Sequence, residues 1–90
     1  MPRYIVERSF AAGLAFAVND DGVEMCRLIV KNNAEYEVTW IHSYVSEDGT
    51  KTFCEYEAPS PEAIRRTAKR NRLPIDRITE VRILNPFFYR

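Results

Sequence analysis

Residues 38–57 read VTWIHSYVSEDGTKTFCEYE, and this stretch restricts the fold more than any other. Two runs rich in β-branched and aromatic residues flank Asp48-Gly49, a dipeptide favoured in tight turns between antiparallel strands. A two-residue turn there pairs Glu47 with Thr50, and hence Tyr44 with Phe53, His42 with Glu55 and Trp40 with Glu57. Alternate strand residues point to opposite faces. Ile41, Ser43, Val45, Thr52, Cys54 and Tyr56 therefore share one face, and Trp40, His42, Tyr44, Phe53, Glu55 and Glu57 share the other. The first set is apolar and small, which suits the side that helices cover. A slip of one residue would instead set His42 opposite Cys54.

The remaining elements fall around this hairpin. Residues 3–10 (RYIVERSF) read as a first strand. Residues 11–19 lack a clean period and form a connecting loop. Asp20 and Asp21 offer capping carboxylates, with Glu24 in capping-box spacing, and a helix with Cys26, Ile29 and Val30 on its stripe, flanked by Met25 and Ala34, ends near Asn33. Ser60-Pro61 opens a second helix with a cap and a proline at the first helical position. It runs to Asn71 or Arg72, burying Ile64, Thr67, Ala68 and Asn71. Its other face carries Arg65, Arg66, Lys69, Arg70 and Arg72, a solvated face supported by a Glu62–Arg66 pair. Residues 77–85 (RITEVRILN) form the last strand, stopped by Pro86 and followed by an aromatic tail.

The order strand, helix, strand, strand, helix, strand defines an α+β, ferredoxin-like βαββαβ sandwich. Two right-handed crossovers are joined by the hairpin, and both helices cover one face of an antiparallel sheet. The first and third strands are then the central pair. Tyr4, Val6, Val81 and Ile83 read as covered residues, leaving Ile5, Glu7, Glu80 and Arg82 on the open face, where Glu7 can lie near Glu55 and His42. With 90 residues there is room for one domain, residues 1–90, with a thin core. The net charge of zero argues against general attraction to nucleic acid or anionic lipid. It conceals an asymmetry: residues 1–59 hold five Lys and Arg against ten Asp and Glu, and residues 60–90 hold eight against three. Opposed halves and an aromatic open face both favour self-association, so a homodimer is expected. Absence of a signal-peptide pattern or a long apolar run points to the cytoplasm, with Cys26 and Cys54 as reduced, buried thiols.

Residues 38–86 resemble a family of small bacterial ferredoxin-like proteins, first defined as a domain without assigned function and described as nickel-binding or nickel-responsive. The matching elements are Trp40, Ser43-Tyr44-Val45, Cys54 with Tyr56, Ala58-Pro59, Glu62-Ala63-Ile64-Arg65, Pro74 and Asn85-Pro86. Residues 2–8 (PRYIVER) are similar as well. The resemblance implies a homodimer, an extra strand from the C-terminal tail, and a link to Ni(II). It does not imply catalysis.

Imidazole and carboxylate both suit Ni(II), and other divalent metals can substitute, copper most strongly. The expected ligands are His42 and Glu55 with Glu7, and Glu80 a further candidate. His42 is the single histidine, so a homodimer would double the supply. No Cys-x-x-Cys pair supports a zinc site. The plain alternative for His42 is a partly buried strand histidine bonded to Tyr or Glu. A second function class is a small-molecule enzyme or ligand-binding dimer, isomerase- or oxygenase-like, with Glu7, His42 and Tyr44 lining an apolar pocket. RNA binding is disfavoured, because the third strand lacks the required glycines and Glu55 and Glu57 repel phosphates.

Overall fold

The computed structural model describes residues 1–11, 13 and 20–87. Along the chain run β1 (Arg3–Ser9), α1 (Asp20–Ala34), β2 (Thr39–Val45), β3 (Lys51–Glu57), α2 (Pro61–Asn71) and β4 (Arg77–Val81). The four strands form one antiparallel sheet in the order β2-β3-β1-β4, which is the ferredoxin-like arrangement with β1 and β3 central. The expected caps at Asp20 and Asp21 lie outside the described side chains. Most of the expected loop over residues 11–19, and the end of the aromatic tail, also fall outside the described residues.

The core lies between the sheet and the helices. Tyr4, Val6, Val38, Cys54, Tyr56, Ala58, Ala63 and Ile64 are buried together, with Tyr36, Trp40, Ile75 and Ile78 packed against them. Helix α2 approaches the sheet closely because its inner face is Ala63, Ile64, Thr67 and Ala68. Its start is as the sequence indicates: Ser60 Oγ accepts the Ala63 amide at 3.3 Å, and Pro61 follows the cap. Arg72, in the left-handed conformation, ends it. Helix α1 is held less deeply. Ile29 is buried, but Val23, Met25, Leu28 and Val30 stay exposed, so Val30 and Met25 lie off the expected stripe. The inner line is instead Cys26, Ile29 and Asn33, with Asn33 fully buried. Both cysteines are free thiols, Cys54 buried and Cys26 half-buried.

The hairpin keeps its expected phase with a wider loop. Ser46 and Lys51 close it, and the Gly49 amide, at φ +75°, donates to the Ser46 carbonyl at 2.9 Å. Glu47 and Thr50 are therefore loop residues, yet Tyr44 still faces Phe53 and His42 still faces Glu55. Asp48 organises the loop. Its Oδ1 accepts from Ser46 Oγ at 2.7 Å, from the Thr50 amide at 3.0 Å and from Thr50 Oγ1 at 2.7 Å. These donors, the Thr50 amide first, hold its carboxyl at about 2, below the usual value of about 3.9. A depressed carboxyl pKa stabilises the fold above the unfolded value and loses that contribution as pH falls through the folded one. The melting-temperature gap between wild type and Asp48→Asn is thus expected to be constant above about pH 5 and to shrink toward pH 2. A gap that stays constant across that range would refute the role of this carboxylate.

Two strand assignments differ from the sequence reading. Between Trp40 and His42 the β2–β3 register shifts by a bulge, so Trp40 pairs with Tyr56 and Thr39 with Glu57. A bulge inserts one extra residue and reverses which face the preceding residues occupy. Trp40 consequently turns to the helix side, where its Nε1 donates to Ser43 Oγ at 2.8 Å, while Ile41 stays exposed. Strand β4 is also in the opposite phase. Ile78 pairs with Val6 and Glu80 with Tyr4, placing Arg77, Thr79 and Val81 on the open face. The Asp76 amide bonding the Glu7 carbonyl at 2.8 Å, and Ser9 Oγ bonding Asp76, anchor that register. The strand ends at Val81, leaving Ile83 exposed rather than covered. Among described residues 82–87 there is no added strand.

Candidate metal-binding face

The open face of β2 and β3 carries the charged groups singled out in the sequence. His42 and Glu55 are cross-strand partners, and His42 Nε2 lies 3.4 Å from Glu55 Oε1. The imidazole is half-exposed and meets the Tyr44 ring edge-on at 5.1 Å between centroids. Glu55 is the more buried partner because β1 flanks it: its Oε2 also binds Arg3 NH1 at 2.9 Å. Arg3 reaches a second carboxylate, with NH2 at 2.7 Å from Glu57 Oε1. The Glu57 hydrogen bond, together with the two carboxylate charges, raises the Arg3 pKa above its ordinary value. An imidazole, two carboxylates and one guanidinium thus form a short row across three strands.

The other expected ligands sit apart. Glu7 is on the same face, opposite Phe53 on one side and Arg77 on the other. Glu80 is on the Tyr4 side of the sheet, where burial and then the Glu80 charge raise the Tyr4 phenol; it is thus not a companion of His42. Trp40 does not border this face. Among the described residues no three His, Cys, Asp or Glu side chains converge enough to hold a metal ion. The His42–Glu55 pair offers two donor atoms, and its carboxylate is already engaged by Arg3. This donor set fits a borderline divalent metal chemically, through one nitrogen and one oxygen, and falls short in number.

Among the described residues, the pockets are not lined by the Glu7, His42 and Tyr44 expected for a small-molecule enzyme. A cavity of about 220 Å³ lies on the helix side, lined by Arg8, Trp40, Ser43 and Tyr56 among others and by none of Glu7, His42 or Tyr44. Sequence reasoning also missed Arg8, buried at 3% exposure; its strict alternation with Tyr4 and Val6 was the available signal. The basic face of α2 is not wholly solvated either. Arg65, not Arg66, pairs with Glu62, and Arg70 crosses to Glu35 of the chain after α1 at 3.0 Å.

A small ferredoxin-like domain with a bare sheet face bearing an imidazole–carboxylate pair is the class these features define. Residues 4–81 match the model of the SCO4226-like nickel responsive protein family, and the chain belongs to that family. The crystal structure of SCO4226 from Streptomyces coelicolor A3(2) is similar at a TM-score of 0.73 and 18% identity, covering 92% of this chain and 99% of that one. At that identity the likeness establishes the fold. A search of curated proteins finds no match. No helix among the described residues is long and apolar enough to cross a membrane.

Proposed function

We propose that this chain is a non-catalytic, cytoplasmic nickel-binding protein that works as a homodimer in metal sequestration or metal response. The observation that carries the reading is the pairing of His42 Nε2 with Glu55 Oε1 on an exposed sheet face, in a chain of a nickel-responsive family. A half-site of two donors becomes a four-donor site when two copies meet face to face, which links metal binding to dimerisation. Exposed Tyr44, beside His42, supplies apolar area for that contact. Glu7 and Glu57, on the same face, are further acids within the sheet register. When bound, the metal would draw on the neutral imidazole and the carboxylate; Arg3 would have to yield Glu55.

Calorimetric titration of Ni(II) into tag-free protein tests this. Wild type is expected to bind at one site per dimer, and His42→Ala to lose that binding. An isotherm unchanged by His42→Ala removes the imidazole from the ligand set. Arg3→Gln frees Glu55 from its competing cation and is expected to tighten binding by about two- to fivefold, the scale of an exposed ion pair. Light scattering should show a dimer that Ni(II) stabilises, and a monomer at all metal concentrations contradicts the shared site. Cu(II) is expected to displace Ni(II) from the same ligands.

A further inference from the structure

Arg8 is buried on the helix side of β1, in line with Tyr4 and Val6. Its NH1 donates to the Pro74 carbonyl at 2.9 Å and its NH2 to the Tyr56 hydroxyl at 3.1 Å. The guanidinium carbon lies 5.8 Å from the centroid of the Tyr56 ring. All of these partners are neutral. The buried Nε–H has no partner, and no carboxylate of the described residues pairs with the group. A guanidinium cannot shed its proton in a protein, and a buried cation without an anion is strongly disfavoured. The acids of β1 and β3 point to the opposite face and cannot relieve it.

The same side chain lines the cavity of about 220 Å³. The walls are mostly apolar, including Phe10, Ile29, Trp40, Val45 and Leu73. Two hydroxyls in the lining accept hydrogen bonds, Ser43 from the Trp40 indole and Thr52 from the Cys54 thiol, and both are uncharged. Formal charge in the lining therefore comes from Arg8 alone. A cavity of about 150 Å³ holds benzene, so this one has space for one ring and a short acidic chain. Inorganic anions would find one cation among largely apolar walls.

We propose that this cavity binds a small organic carboxylate carrying one aromatic or branched aliphatic group. The carboxylate is taken by the Arg8 guanidinium, and the apolar part lies against Phe10, Ile29, Trp40, Val45 and Leu73. Charge-assisted hydrogen bonds to the fork supply orientation, and desolvated apolar walls supply affinity. This site is on the opposite side of the sheet from His42 and is independent of nickel.

The single tryptophan of the chain, Trp40, lines the cavity and serves as reporter. Titration with phenylacetate is expected to change its fluorescence saturably, with a Kd below about 1 mM. Phenylacetamide, neutral and of the same shape, and acetate, lacking the ring, should each bind at least about tenfold more weakly. Arg8→Met should abolish the response. If Arg8→Met fails to fold, Val45→Phe decides: it fills the cavity from a half-exposed position, leaves the cation in place, and should weaken phenylacetate at least about tenfold. His42→Ala should bind phenylacetate as wild type does, whether or not it binds nickel. The proposal is overturned by no saturable change in wild type at about 10 mM phenylacetate, by equal affinity for the amide, or by an undiminished response in Val45→Phe.

Discussion

Ile64→Ala is expected to remove about 3–4 kcal/mol of stability. Ile64 is completely buried on α2 and belongs to the cluster with Tyr4, Val6 and Tyr56. Its neighbours on the helix, Ala63, Thr67 and Ala68, are too short to close over the space it leaves, so the cavity term adds to the lost transfer energy. Domains of this size hold only about 5–15 kcal/mol in all, and the melting temperature should fall by more than about 10 °C. Urea denaturation is the direct measurement, with the midpoint lowered and the slope unchanged. Val30→Ala, on the exposed side of α1, is the matched control and should change stability by less than about 0.5 kcal/mol. A loss under about 1 kcal/mol for Ile64→Ala would contradict the packing described here.

Asn71→Leu should be nearly as damaging, at about 2–3 kcal/mol, although it replaces a polar residue with an apolar one. Asn71 Oδ1 accepts from Asn32 Nδ2 at 2.7 Å, and its Nδ2 donates to Asn33 Oδ1 at 3.1 Å. Arg70 joins through Asn32 Oδ1 at 3.2 Å. This cluster is how α2 grips α1, whose apolar residues are largely turned outward. Asn33 is 1% exposed and its own Nδ2 already lacks a partner, so losing Asn71 strands further polar atoms in the interior. Each such atom costs about 1–3 kcal/mol. A double-mutant cycle with Asn32→Ala should show coupling of at least about 0.5 kcal/mol; strict additivity would mean the amides do not act together.

The two helices illustrate different degrees of legibility. For α2, cap, proline and inner face were all visible, because Ser60, Pro61 and the spacing of Ile64, Thr67 and Ala68 act within a few residues of each other. For α1 the apolar stripe misled. Val30 and Met25 fit the period as well as Ile29 does, yet a pair of asparagines faces inward, bonded to Asn71 of the other helix. Nothing near Asn32 or Asn33 in the chain announces that partner.

The candidate site divides in the same way. His42 opposite Glu55 followed from the hairpin, since any loop that keeps Ser46 against Lys51 preserves that pairing. Arg3 on Glu55 did not follow, because it depends on how β1 lies beside β3. Trp40 was misplaced by a bulge that alternation cannot reveal, and Glu80 by a last strand whose apolar residues fit either phase.

Order of elements, hairpin register and helix start were written in the chain, since turns, caps and periodicity are set by neighbours only a few positions apart. Which face Trp40 and Glu80 take, why Arg8 is buried, and what engages Glu55 were settled only on folding. Those outcomes rest on contacts such as Arg8 with Pro74 and Tyr56, between residues so distant in the chain that no local pattern records their meeting.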